Sequence, residues 1–431
     1  MKYGLLGEKL GHSFSKMLHE QIGNEDYDLI PVERDKVDEF LSGAAFEGIN
    51  VTIPYKETAM KYCIPDEIAS DIGCVNTLHK VNGKVYGYNT DCLGFAYLAA
   101  TVGVDWKDKK VVILGSGGTS KTASYVAVKS GAAKVIIVSR KEVDDSDRSG
   151  WRSICDHSTY DKQDDWADAD IIVNTTPVGM YPGNEGMPID LDLFDTPEAV
   201  LDVIYNPLET RLVQEAKKRG IPASCGLPML VAQGWYSEQI WISEDGCNVS
   251  FKVEDPISAE AKEGIDMITN VIMKQKQNIV LIGMPGSGKS TVGRALAKEL
   301  DREFIDTDDA FTGKYGITPE ACINEFGVED FRDKETVVVK EKAALSGLII
   351  ATGGGAVLRE ENRAALAQNG FVILLNRDPG KLSTDGRPLS QKDGVMKLYE
   401  ERMPVYRGFM DIEVEVSDDP DKTLQQVLKK I

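Results

Sequence analysis

The chain has 431 residues, 42% of them apolar and 27% charged, and a formal net charge of −20. At roughly 100–200 residues per domain this predicts about three domains, with enough apolar side chains for several cores. So acidic a chain is a poor partner for nucleic acid or for an anionic membrane surface, both of which need basic faces. An anionic substrate would need lysines and arginines placed locally against that field.

The seven cysteines (Cys63, Cys74, Cys92, Cys155, Cys225, Cys247 and Cys322) form no CxxC pair and follow no regular spacing. They read as free thiols in a reducing compartment, neither a disulfide framework nor a zinc site. The opening MKYGLLGEKLGHSFS lacks the apolar core of a signal peptide. No stretch approaches the roughly 20 apolar residues of a membrane span. These features predict a cytoplasmic protein without a membrane partner.

Short apolar runs alternate with helical patterns. Strands are predicted at 3–6, 49–53, 110–114, 134–138, 171–174, 199–203, 278–282, 347–351 and 371–375. Strand-then-helix alternation implies the α/β class, with parallel sheets and crossover helices. The first domain is predicted at 1–100, with helices near 230–272 returning to it, and the second at 101–230. Ile265, Ile268 and Ile272 recur at helical spacing, which predicts a last amphipathic helix, then a linker at 273–278. The third domain is predicted at 279–431.

In the first segment three polar clusters stand near strand ends. They are Ser13 and Ser15 in GHSFSK, the run from Asn50 to Lys56, and Asn89-Thr90-Asp91. Reducing a carbonyl needs hydride on carbon and a proton on oxygen, and a lysine beside an aspartate suits the proton. By residue type alone Lys56 reads first as a surface lysine, and Ser13 and Ser15 as helix caps.

In the second segment, 110–114 runs into Gly115-Ser116-Gly117-Gly118-Thr119-Ser120, where a helix begins. Such a turn lets the backbone approach a pyrophosphate whose charge the helix N-terminus stabilises. Ser120 stands where the dinucleotide fingerprint wants a third glycine, so a purely structural turn also fits. The next strand ends in Ser139-Arg140-Lys141. An NAD site usually places a carboxylate there, and the basic residues suit the 2′-phosphate of NADP.

Together GHSFSK, NVTIPYKE, GCVNTL, YNTD, GSGGTSK, VNTTPVGM, DVIYNP and GLPMLVAQ resemble shikimate dehydrogenase over about residues 1–272. That family reduces 3-dehydroshikimate with NADPH in an α/β substrate domain joined to a Rossmann-like domain. The resemblance implies Lys56 and Asp91 as the catalytic pair. It implies Ser13, Ser15, Thr52, Asn76, Asp91, Tyr205 and Gln233 as substrate residues. For the cofactor it implies Gly115, Gly117, Gly118, Thr119, Ser120 and Arg140, with Gly226 and Met229 near the nicotinamide.

In the third segment, 279–282 leads into Gly283-Met284-Pro285-Gly286-Ser287-Gly288-Lys289-Ser290-Thr291, a full GxxxxGK(S/T) between strand and helix. Its amides cradle the phosphates of ATP, Lys289 reaches the terminal ones, and the Ser290 hydroxyl binds Mg2+. Phe304-Ile305-Asp306-Thr307-Asp308, Phe331-Arg332, Thr352-Gly353-Gly354-Gly355, Gly386-Arg387-Pro388-Leu389 and Glu401-Arg402 follow. This series resembles shikimate kinase, a P-loop kinase with a parallel sheet flanked by helices, over about residues 277–431. The resemblance implies Asp306 on the Mg2+ side and Asp308 on the substrate hydroxyls, where it could serve as base. It implies Arg332 and Arg402 as a carboxylate clamp, Gly354 at the ring, and Arg387 as a lid arginine. The segment between Asn376 and Arg387 is shorter than the family pattern, and no arginine in it is assigned to the adenine.

Three other readings stay open on sequence alone: a quinate/shikimate dehydrogenase using NAD, a live dehydrogenase with an impaired or regulatory kinase, and a non-catalytic metabolite sensor. An acidic residue in place of Arg140 would favour the first, and loss of Lys56, Asp91, Lys289 or Asp308 the last. None of these changes is present.

Overall fold

The computed structural model describes residues 2–11, 14–142, 150–243, 251–382 and 394–431. The chain divides into two compact units. One comprises Met1–Asn206 and Leu212–Met273, the other Pro207–Arg211 and Lys274–Ile431.

The first unit holds two sheets. In the first, β1 (Tyr3–Gly7), β2 (Tyr27–Pro31), β3 (Gly48–Val51), β4 (Ile64–Pro65), β5 (Thr77–Val81) and β6 (Lys84–Tyr88) run in the order β2-β1-β3-β5-β6-β4. This sheet is mixed. β1 pairs in parallel with β2 and β3, while β5 is antiparallel to both β3 and β6. The expectation of purely parallel sheets therefore fails here, because Asn82-Gly83 turns β5 directly back into β6. Both residues have positive φ, 52° and 76°, as a tight two-residue hairpin requires.

The second sheet comprises β7 (Lys110–Leu114), β8 (Lys134–Ser139), β9 (Cys155–Thr159), β10 (Ile171–Asn174), β11 (Ala199–Asp202) and β12 (Ala223–Ser224) in the order β12-β11-β10-β7-β8-β9, all parallel. Its central strands are apolar on both faces. Val111 and Ile113 join one core cluster, Val112 and Leu114 the other. This is the pattern of a sheet covered on both sides. Chain direction across the sheet reverses between β7 and β10, and ligands of doubly wound sheets bind at that point.

In the second unit β13 (Asn278–Ile282), β14 (Phe304–Asp306), β15 (Ile349–Ala351), β16 (Gly370–Asn376) and β17 (Ile412–Glu415) form a parallel sheet in the order β14-β15-β13-β16-β17. Again the central strand is two-sided, with Ile279 and Leu281 in one cluster and Val280 and Ile282 in the other. The boundary between the units falls between Met273 and Lys274, inside the linker expected at 273–278, but that stretch is mostly regular structure. The helix Ala259–Lys276 runs through it and leaves only Gln277 before β13. Lys274, Gln275 and Lys276 are good helix formers, and their polarity does not break the helix.

Candidate active sites

In the first unit, β1 and β3 end, and β5 begins, at one edge of the mixed sheet. A cavity of about 390 Å³ opens there, lined among others by Ser15, Thr52, Lys56, Asn76, Asp91, Thr119, Tyr205, Gly226, Met229 and Gln233. Ten residues singled out by sequence thus converge, though they are spread over more than two hundred positions. Ser13 lies outside the described residues. The capping alternative for Ser15 does not hold. It is the first residue of the helix Ser15–Ile22, whose start at Phe14 has no side-chain cap.

Lys56 opens the short helix Lys56–Ala59, and Asp91 lies in the first turn of the helix Thr90–Thr101. The Lys56 ammonium donates to Asp91 Oδ2. Asn76 Nδ2 donates to the other carboxylate oxygen at 2.9 Å and to Thr90 Oγ1 at 2.9 Å, and the Thr90 amide donates back to Asn76 Oδ1 at 2.7 Å. Both oxygens of Asp91 are therefore fixed. Burial alone would lower the Lys56 pKa, but the Asp91 charge and hydrogen bond outweigh it and hold the ammonium above its ordinary value. The lysine is thus a proton donor at neutral pH.

Behind this pair lies a network the sequence reading does not assemble. Asn50 Nδ2 donates to Ser237 Oγ at 2.8 Å and to Thr77 Oγ1 at 3.1 Å, and Asn50 Oδ1 accepts from Tyr27 at 2.9 Å. Thr77 and Ser237 are fully buried. Asn50 stands in a cluster noted in the sequence, whereas Thr77 and Ser237 look like ordinary strand and helix residues.

The glycine turn lies at the switch between β7 and β10. Gly115 has φ of 104°, and a Cβ there would meet Thr175 Oγ1 at 2.9 Å, so this glycine is structural. At Gly117 and Gly118 a Cβ would meet nothing within 4 Å. The helix Gly118–Lys129 begins with no side-chain cap, so its first amides face open space suited to an anion. Ser120 is buried and fills the inward position of the missing third glycine. Arg140 and Lys141 are exposed just beyond β8, whose Val138 pairs with Leu114 beside the turn. A dinucleotide with a 2′-phosphate fits these residues. Gly226 is required for a different reason: a Cβ would lie 2.1 Å from the Val203 carbonyl oxygen.

In the second unit a cavity of about 490 Å³ is lined by Gly286, Gly288, Lys289, Ser290, Thr291, Asp306, Asp308, Arg332, the glycines 353–355 and Arg402, and also by Glu335 and Arg377. Gly283 and Ser287 complete the P-loop but are not among the lining residues. Lys289 Nζ donates to the Gly283 and Met284 carbonyls, both at 3.0 Å, and Ser290 donates to Asp306 Oδ2 at 2.6 Å. A hydroxyl and a carboxylate in contact at a P-loop suit a hard divalent cation that keeps waters and phosphates as its other ligands. Asp308 is open to the cavity but crowded. Desolvation, then Asp306 and Glu335, push its pKa up to about 6, against the pull of Lys289 and Arg332. Arg332 is held by Glu335 at 2.5 Å, and Arg402 is 6% exposed. Arg387 lies outside the described residues.

The family descriptions that match are shikimate dehydrogenase substrate binding domain, over residues 5–78, and shikimate kinase, over residues 285–431. A shikimate dehydrogenase (NADP(+)) of Clostridium beijerinckii is 36% identical over 249 residues, 56% of this chain and 91% of that one. A chorismate mutase/shikimate 5-dehydrogenase fusion protein from Clostridium acetobutylicum superposes with a TM-score of 0.53 at 32% identity, covering 63% of this chain and 96% of that one. The shikimate 5-dehydrogenase of Thermus thermophilus, solved with NADP(H) and shikimate, gives 0.52 at 26% identity, covering 63% and 99%.

The chain belongs to the shikimate dehydrogenase family and carries a shikimate kinase domain.

The triple glycine, which the resemblance places at the substrate ring, lines the cavity. A Cβ would meet Glu335 Oε1 at 2.8 Å from Gly353, Pro285 at 2.7 Å from Gly354, and Arg332 Nη2 at 2.0 Å from Gly355, so protein side chains also press on this backbone. One expectation about the kinase domain changes. Sequence assigns no arginine of the short segment after Asn376 to the nucleotide side, yet Arg377 lines the cavity. Glu335 also escapes the sequence reading; its signal is the helical spacing of three from Arg332. Among the described residues no helix is long and apolar enough to cross a membrane, and the six described cysteines are free. Cys247 lies outside the described residues.

Proposed function

We propose that the first unit reduces 3-dehydroshikimate to shikimate with NADPH and that the second phosphorylates shikimate with ATP to shikimate 3-phosphate, two steps toward chorismate and the aromatic amino acids. One observation carries this reading. A single chain joins a Lys–Asp proton-handling pair beside a dinucleotide turn to a cavity where a P-loop and an arginine–aspartate acceptor set share one lining.

NADPH supplies the hydride when bound. Lys56, held protonated by Asp91, delivers the proton as charge develops on the carbonyl oxygen, and Asp91 fixes the ammonium for that transfer. Lys56 keeps a 27% exposed side chain, so it regains its proton from solvent. Ser15, Thr52, Asn76, Tyr205 and Gln233, with Ser13, pair with the ring's hydroxyls and carboxylate. A ring lacking one of these groups leaves a partner unsatisfied, at about 1–3 kcal/mol. Thr119 and the amides after Gly117 take the pyrophosphate, Arg140 the 2′-phosphate, and Gly226 and Met229 border the nicotinamide.

In the second unit Mg·ATP supplies the phosphoryl group. Arg332 and Arg402 hold the shikimate carboxylate, and a bidentate arginine gives orientation as well as attraction. Asp308 accepts the proton of the attacking hydroxyl. Lys289 and the P-loop amides hold the phosphates, Ser290 and Asp306 hold Mg2+, and Arg387 completes the phosphate site.

The test is incubation of the full chain with 3-dehydroshikimate, NADPH and Mg·ATP, with NADPH followed by absorbance and products by mass. Shikimate 3-phosphate should form. Lys56→Ala should stop NADPH consumption, and Lys289→Ala should leave unphosphorylated shikimate. Consumption of NADH with NADPH untouched would overturn the cofactor assignment, and absence of any product would overturn the reading.

A further inference from the structure

The order β14-β15-β13-β16-β17 lays out the kinase site along one edge of its sheet. Asp306 and Asp308 lie at the end of β14, the triple glycine follows β15, and the P-loop follows β13. Arg377 follows β16, on the other side of the P-loop from the acceptor residues. Its side chain lines the same cavity as Gly286, Lys289 and Ser290. Its Nε is buried and has no hydrogen-bond partner among the described residues. Its Nη2 makes one long contact, 3.4 Å to Asp418 Oδ1, and that carboxylate is already engaged by Lys381 at 2.6 Å. A guanidinium stays charged and carries five donors in a rigid fork. Leaving the buried Nε–H without a partner is costly unless an anion completes it.

We infer that Arg377 is a nucleotide ligand, binding the phosphate chain of the triphosphate on the side away from the acceptor. Its place in the strand order sets it across the P-loop from Asp308 and the triple glycine. The fork matches phosphate oxygens, and the neighbouring P-loop amides define where those oxygens lie. This inference rests on the reading of the second unit as an ATP-dependent kinase.

The experiment uses the full chain with Arg377→Ala, Arg377→Lys and Asp418→Asn. It measures the KM for ATP, the KM for shikimate, kcat, NADPH oxidation and thermal stability. Arg377→Ala should raise the ATP KM roughly ten- to a hundredfold, the loss expected for charged hydrogen bonds. The shikimate KM and NADPH oxidation should not change. Lysine should recover part of the loss, since it restores the charge without the fork. Asp418→Asn, which removes only the protein partner, should leave the ATP KM unchanged or lower. An unchanged ATP KM in Arg377→Ala would overturn the inference, as would a rise in the shikimate KM instead. So would Asp418→Asn reproducing the Arg377→Ala defect, which marks a structural ion pair. Should the unaltered chain fail to phosphorylate shikimate, the kinase reading is what has failed. Calorimetric ADP binding to the unaltered and Arg377→Ala chains then decides on Arg377 alone: weaker binding supports it, equal binding overturns it.

Discussion

Gly355→Ala isolates the proposed carboxylate clamp without touching a charge. The added carbon would lie 2.0 Å from Arg332 Nη2, where ordinary contact begins at 3.4 Å, so the guanidinium must retreat by about 1.4 Å. The backbone at Gly355 has φ of −105°, which alanine adopts freely. The displaced atoms are the far end of a flexible side chain, so the fold should survive. The retreat pulls Arg332 off Glu335, now 2.5 Å away, and off the shikimate carboxylate. One charged hydrogen bond is worth about 1.5–3 kcal/mol, so the shikimate KM should rise roughly ten- to a hundredfold. Steady-state phosphorylation at saturating ATP measures this, with NADPH oxidation and thermal denaturation as controls. In an Arg332→Met background the same alanine should add almost nothing, because the clash partner is gone. An unchanged shikimate KM in Gly355→Ala, or additive effects in the double variant, would refute the reasoning.

Lys56→Met should lower NADPH oxidation by roughly 10²–10⁴-fold while leaving phosphorylation of added shikimate intact, and equal loss of both would point to misfolding instead. Because the Lys56 pKa is raised on folding, the stability from its ion pair is complete below the ordinary value near 10.4 and is lost as pH climbs through the raised one. The gap in Tm between the unaltered and Lys56→Met chains should therefore persist through neutral pH and close only in alkali; closure by neutral pH contradicts the pair. Asp308 must be ionised to accept a proton, so kcat/KM for phosphorylation should fall as pH drops through about 6, with no matching step in NADPH oxidation. Its pKa is raised on folding, so the ionised form is disfavoured in the native state above that pH; Asp308→Asn should abolish phosphorylation yet raise Tm at neutral pH. Arg140→Gln should raise the NADPH KM roughly ten- to a hundredfold and leave NADH unaffected, and an equal effect on both would remove its 2′-phosphate role.

The readable parts of this chain are those where one local rule decides. Strands such as 110–114 and 278–282 are buried on both faces, so they read as continuous apolar runs. The P-loop reads from spacing alone. Strands with exposed positions escape such a reading, including Tyr27–Pro31 and Ile412–Glu415, where burial alternates or breaks. The Asn82-Gly83 hairpin is legible from its turn residues, but the alternating strand–helix pattern around it points the other way. In the sites, motif residues converge as expected. What sequence does not supply are partners fixed by tertiary contact: Thr77 and Ser237 behind Asn76, and the side chains of Pro285, Arg332 and Glu335 that press on the triple glycine. A glycine run states that something approaches closely, not whether it is ligand or protein.

Both cavities answer one electrostatic problem. The chain carries −20 overall, yet each proposed ligand is an anion. Bare cations facing a cavity would be costly to desolvate, and free carboxylates would repel the ligand. Three site cations are instead matched with carboxylates, Lys56 with Asp91, Arg332 with Glu335 and, loosely, Arg377 with Asp418, while Lys289 is held by the Gly283 and Met284 carbonyls. Lys56 and Arg332 have close partners, and each proposed role needs a fixed atom, a proton aimed at an oxygen or a fork aimed at a carboxylate. Arg377 has the long contact, which a nucleotide can displace at little cost. How tightly each cation is paired follows from what it must do. Of these three, the cations that handle the proton and the ring carboxylate are fixed before binding, and Arg377 is left available for a phosphate.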